Sequence, residues 1–131
     1  MYKTIICAIE NSDEGEQVLS KANQLAQLCN AKLLVTHIIP YTLLPNDYQK
    51  ELKENALPSI EAKATALDIP LKNVTIKFGK AYEQICLLAE HKGADLIVLG
   101  THSKKGLNAL IGSTANAVAN YAQCDVSLIK I

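Results

Sequence analysis

Five short apolar, β-branched runs recur along the chain, and longer helical patterns separate them. The runs are "KTIICAI" (residues 3–9), "AKLLVTHII" (31–39), "NVTIKF" (73–78), "ADLIVLG" (94–100) and "DVSLIKI" (125–131). The first and fourth are almost wholly apolar, as for strands buried on both faces. The third alternates, which suits an edge. Strands that alternate with helices require a mostly parallel sheet covered on both sides. Right-handed crossovers then make an open doubly wound α/β sheet the natural topology.

The intervening segments carry helix signals. Asp13 and Glu16 have capping-box spacing ahead of apolar positions Val18, Ala22, Leu25, Ala26 and Cys29. Pro40 and Pro45 mark a loop, and a Lys/Glu-rich helix is expected over residues 46–67, kinked or divided at Pro58. Gly79 turns the chain into a helix over 81–92 with Ile85, Leu88 and Ala89 inward. A last helix over 113–122 puts Ala115, Val118, Ala119 and Ala122 on one face.

In such sheets ligands sit outside the carboxyl ends of the strands, where the winding reverses. The turn at Glu10 and the loop after Gly100 share that rim if the first and fourth strands are neighbours. The loop reads "LGTHSKKGLNALIGSTANAVANYA". Gly112 would let an anion approach a helix N-terminus, whose unpaired N–H groups and dipole attract phosphate. Ser113 and Thr114 add hydroxyls, and Lys104 and Lys105 could steer charge. The plain alternative is a glycine-punctuated connection with a serine cap and two solvated lysines.

Other chemistries find little support. The 131 residues fit one domain, with 13 basic and 13 acidic side chains giving zero net charge. That balance lacks the basic footprint of nucleic-acid or anionic-membrane binding. No run is long enough to span a membrane, and the N-terminus lacks a signal-peptide pattern, so a soluble cytoplasmic protein is expected. Cys7, Cys29, Cys86 and Cys124 form no CxxC pair and read as small hydrophobes in a reducing compartment. There is no GxxxxGK[ST], GxGxxG or GxSxG, and no general base or metal-binding acidic pair marks the loop. His37 reads as a cap on a strand end, and His91 suits a helix C-terminus.

The ordered set "KTIICAIENSDEGEQVL", "AKLLVTHII", "FGKAYEQI", "GADLIVLGTHSKKGL" and "IGSTANAVANYAQCDVSLIKI" closely resembles the universal stress protein A family over essentially the whole chain. The resemblance implies five parallel strands in the order 3-2-1-4-5 and a homodimer. It also implies a choice, because one branch of the family binds ATP or AMP and another does not. The binding branch carries G-x2-G-x9-G-[ST]. Gly100, Gly112 and Ser113 match its first glycine, last glycine and hydroxyl residue. Ser103 replaces the second glycine, and "KKGLNALI" is one residue short of the family spacing. Glu10 stands where binding members have aspartate near the ribose, and Ala81 replaces a proline. Ala8, Ile9 and Ile38 fall at adenine-pocket positions.

Serine at positive φ costs about 1 kcal/mol, which weakens affinity by under about tenfold. The expected site is therefore Ala8, Ile9 and Ile38 around adenine, Glu10 at the ribose, and Gly100, Ser103, Gly112, Ser113 and Thr114 at the phosphates, with or without Mg²⁺. Bound nucleotide would order the loop and change a surface read by an unidentified protein partner. The competing expectation is a dimeric interaction protein without nucleotide. Catalysis beyond slow ATP hydrolysis is not expected. The last strand, with Val126 and Ile131 at its ends, is the expected dimer edge.

Overall fold

The computed structural model describes residues 1–40, 46–101 and 113–131. Its strands are β1 (Thr4–Ala8), β2 (Lys32–Pro40), β3 (Val74–Gly79), β4 (Leu96–Thr101) and β5 (Asp125–Lys130). They form one five-stranded parallel sheet in the order β3-β2-β1-β4-β5. The helices α1 (Asp13–Cys29), α2 (Asn46–Ala66), α3 (Ala81–Lys92) and α4 (Ser113–Tyr121) fill the crossovers, and a 3₁₀ turn (Leu71–Asn73) precedes β3.

Alternation along the central strands divides the core in two. Ile5, Cys7, Val35 and Val98 pack with Val18, Leu19, Ala22 and Ile60 on the α1/α2 side. Ile6, Leu34, Ile97 and Leu99 pack with Ile85, Leu88, Ala115 and Val118 on the other. Full burial of each valine, leucine or isoleucine among them contributes about 1.5–3 kcal/mol. This two-sided burial is why β1 and β4 read as unbroken apolar runs.

Local boundaries follow the chain's own chemistry, with some departures from expectation. The cap of α1 is Ser12, whose Oγ accepts the Gly15 N–H at 3.2 Å. Asp13 is already helical and joins Glu14 and Glu16 in the first turn, where carboxylates favour the dipole. Helix α2 runs through Pro58 without dividing. Pro58 is exposed, so water can take the carbonyl its ring leaves unpaired. Ala119 is exposed rather than inward. Pro40 closes β2 instead of opening a loop, and Pro45 lies outside the described residues. Helix α3 ends at Gly93 (φ +66°), whose N–H donates to the Ala89 and Glu90 carbonyls, a left-handed cap that glycine adopts without strain.

Candidate functional site

The winding reverses between β1 and β4, and a cavity of about 350 Å³ opens at their carboxyl ends. Ala8, Ile9 and Glu10 come from the end of β1, and His37, Ile38 and Pro40 from the end of β2. Leu99 and Gly100 end β4, and Thr114 lies in the first turn of α4. Six of the expected site residues (Ala8, Ile9, Glu10, Ile38, Gly100 and Thr114) thus line one space. Ser113 is the first residue of α4. Ser103 and Gly112, with Lys104, Lys105 and His102, lie outside the described residues.

The cleft exists because β2 runs on to Pro40, beyond the end of its pairing with β1. Their ladder closes at Ala8↔Thr36. In that register the Thr36 peptide faces β1, and its carbonyl takes the Ile9 N–H at 2.9 Å. One more step of a parallel ladder would give the Ile9 carbonyl to the Ile38 N–H. The His37 ring takes it instead, with Nδ1 2.8 Å from the Ile9 oxygen. A carbonyl only accepts, so Nδ1 carries the proton. Peptide orientation alternates along a strand, so Ile38, two residues beyond Thr36, turns its N–H and C=O toward the gap that β1 leaves.

Close approach shapes the other walls. A Cβ on buried Gly15 would overlap the Glu10 carbonyl oxygen, so only glycine lets α1 start so near the end of β1. At Gly100 a Cβ would stand 2.8 Å from both Ile131 Cδ1 and Val18 Cγ2. Ile131 reaches this wall through its N–H, which donates to the Thr101 carbonyl at 3.1 Å.

The cavity is mainly aliphatic at its base and polar at its edge. Ala8, Ile38, Ile85 and Leu99 supply the apolar surface. Glu10 is exposed at the mouth, and the first turn of α4 brings the positive end of a helix. Among the described residues no group of three His, Cys, Asp or Glu side chains could hold a metal. The displaced ionisable groups lie elsewhere. Hydrogen bonds from the Lys3 amide first, then from that of Thr4, hold the Asp95 carboxyl below its ordinary range. Burial pushes the Cys7 thiol well up, which leaves it a core hydrophobe. Cys29, Cys86 and Cys124 are only partly buried, and all four thiols are free.

Sequence reasoning missed Gly15, Val18 and Ile131 as walls of the cavity. Gly15 carries a usable signal, since a glycine at the start of a helix forfeits helix propensity for a reason. Ile131 carries none, because only the β4–β5 register brings it to Gly100. The strand-end cap expected of His37 falls on the Ile9 carbonyl.

An open doubly wound α/β sheet with a cleft at its switch point and a helix N-terminus on the rim defines a protein of the doubly wound α/β class. The chain belongs to the universal stress protein family, whose model matches residues 1–130. It is 32% identical over 135 residues to universal stress protein A homolog 1 of Coxiella burnetii, covering 95% of this chain and 94% of that protein. Homolog 2 of the same organism is 31% identical over 140 residues, covering 99% and 96%. Among solved structures, the hypothetical protein MJ0577 superposes with a TM-score of 0.84 at 24% identity, covering 100% and 97% of the two chains. A universal stress protein in complex with cAMP gives 0.72 at 22%, covering 98% and 97%. These two likenesses establish the shared fold.

Proposed function

We propose that the chain is a small regulatory module that binds an adenine nucleotide, ATP or AMP, in the rim cleft. The observation that carries this reading is the convergence, on one cavity, of an aliphatic base, a peptide edge at Ile38 that is unpaired among the described residues, and the N-terminal turn of α4. The cavity lies within the size range of small-molecule sites. The Ile38 N–H and C=O present a donor and an acceptor side by side, which complements adenine N1 and N6. Ala8 and Ile38 leave room for a flat base, Glu10 faces the ribose, and Gly100, Ser103, Gly112, Ser113 and Thr114 serve the phosphates, with Mg²⁺ as their companion ion for a triphosphate. The cAMP bound by a relative of the same fold is a ligand of the same chemical class.

In this reading the nucleotide is a signal rather than a substrate. Occupancy changes the rim surface that a protein partner reads, and turnover does not exceed slow ATP hydrolysis. A second copy pairs along β5, the edge strand whose outer N–H and C=O groups have no neighbour in the sheet, with Val126 and Ile131 at the ends of the segment. Lys130 is the charged residue on that segment. The module works in the cytoplasm, in keeping with four free thiols. No helix among the described residues is long and apolar enough to cross a membrane.

The test is a thermal shift with ATP, ADP and AMP, each with and without Mg²⁺. A ligand at about 100 times its Kd stabilises by about 2.7 kcal/mol, so the melting temperature should climb with concentration. No shift at millimolar nucleotide would leave the competing reading, a family member that works through protein contacts alone. Light scattering checks the dimer, and a monomer at micromolar concentration would refute it.

A further inference from the structure

His37 does something at the rim that neither an adenine pocket nor a packed core requires. Its Nδ1–H occupies the one acceptor, the Ile9 carbonyl, that would otherwise extend the β1–β2 ladder by a rung. Above Ala8↔Thr36 the two strands still run side by side, close enough for the Ile9 N–H to reach the Thr36 oxygen at 2.9 Å. The next bond in the series, from the Ile38 N–H to the Ile9 oxygen, is replaced by a side-chain bond of 2.8 Å. The imidazole belongs to the residue just before Ile38, whose own peptide faces β3 through the His37↔Ile76 pairing. The ring therefore reaches β1 while the backbone of its own residue is spent on the opposite neighbour.

We propose that His37 is a positioning residue for the cleft. By holding the Ile9 carbonyl, it keeps the Ile38 peptide unpaired and turned toward the ligand. The ring acts as a stop on the ladder and prevents the sheet from zipping shut over the base site. The proposal rests on the nucleotide reading for its ligand, but the state of the Ile38 amide is a property of the ligand-free protein. An apolar residue at position 37 releases the Ile9 carbonyl, and the Ile38 N–H is the donor that the parallel register sets against it. The rung then forms at the expense of the ligand's hydrogen bond.

Three variants test this: His37→Leu, His37→Val and His37→Asn. Leucine and valine remove the donor, and valine keeps a strand-forming side chain should leucine fold poorly. Asparagine retains a side-chain N–H at nearly the Nδ1 position. Amide hydrogen exchange at Ile38, read by NMR without ligand, is the first measurement. The proposal expects exchange to slow by up to about tenfold in the apolar variants, the effect of one added hydrogen bond. AMP affinity, by calorimetry, should fall by about tenfold in the same variants. His37→Asn should resemble the wild type in both.

A histidine that merely braced the rim would have the opposite signature, since its loss would loosen β2 and speed exchange at Ile38. Unchanged or faster exchange in both apolar variants overturns the proposal, as does a His37→Asn protein no better than His37→Leu. If wild-type protein binds neither AMP nor ATP, the nucleotide reading has failed. The exchange arm then still decides whether His37 holds the ladder open.

Discussion

Replacing Gly15 by alanine adds one methyl group and should disrupt the cleft. Gly15 is buried in the first turn of α1, and its added Cβ would run into the Glu10 carbonyl oxygen, with the Glu10 nitrogen 3.3 Å away. Both are backbone atoms, so no rotamer change relieves the overlap. Either α1 or the end of β1 must shift. Alanine regains up to about 1 kcal/mol of helix propensity over glycine, while forced overpacking costs about 1–3 kcal/mol and more when backbone must move. The net loss is about 2 kcal/mol. For a chain of this length, one kcal/mol moves the melting temperature by roughly 3–5 °C. The variant should therefore melt about 6–10 °C lower. Thermal melts followed by circular dichroism, backed by urea titration, measure this. Nucleotide response should weaken more than stability does, because Glu10 and Ile9 lie on the displaced segment. A Gly15→Ala protein that melts at or above the wild type refutes the reasoning, since propensity would then outweigh the contact.

Other substitutions separate strain, capping and charge. Gly93→Ala meets no atom within 4 Å but must hold φ +66°, so it should cost about 1 kcal/mol by denaturant titration. Ser12→Ala removes the oxygen that accepts the Gly15 N–H and should also cost about 1 kcal/mol. Asp95 has a lowered pKa in the folded state, so its contribution is present above the ordinary carboxylate range and lost as pH falls through the lowered value. Asp95→Ala should destabilise at pH 7 and flatten the stability profile below about pH 4, as measured by urea titration across pH. Thr101 Oγ1 is buried without a hydrogen-bond partner among the described residues, so Thr101→Val should be neutral or slightly stabilising. A clear loss of stability would show that residues 102–112 supply its partner.

The order of strands and helices was legible because burial on two faces writes long apolar runs at β1 and β4, and burial on one face writes the 3.6-residue spacing of Ile85, Leu88 and Ala89. The place of the cleft was legible for a similar reason. Glu10 and Gly100 each follow an apolar run, and parallel strands put such ends on one rim. Boundaries were harder. Ser12 and Asp13 are both capping residues, and where β1 releases the chain decides between them. What the sequence could not show is where two strands part. The run "VTHII" gives β2 its alternation, yet nothing along it marks Thr36 as the last residue to pair with β1. That point depends on the length of β1, on the turn that Gly15 permits beside Glu10, and on a ring that reaches across to a backbone oxygen. A bond from a side chain of one strand to the peptide of another has no signature in either segment. It is nevertheless what leaves Ile38 facing a cavity instead of a neighbouring strand. A relative with a different residue at the position of His37 could keep every strand and helix of this fold and still present a closed rim.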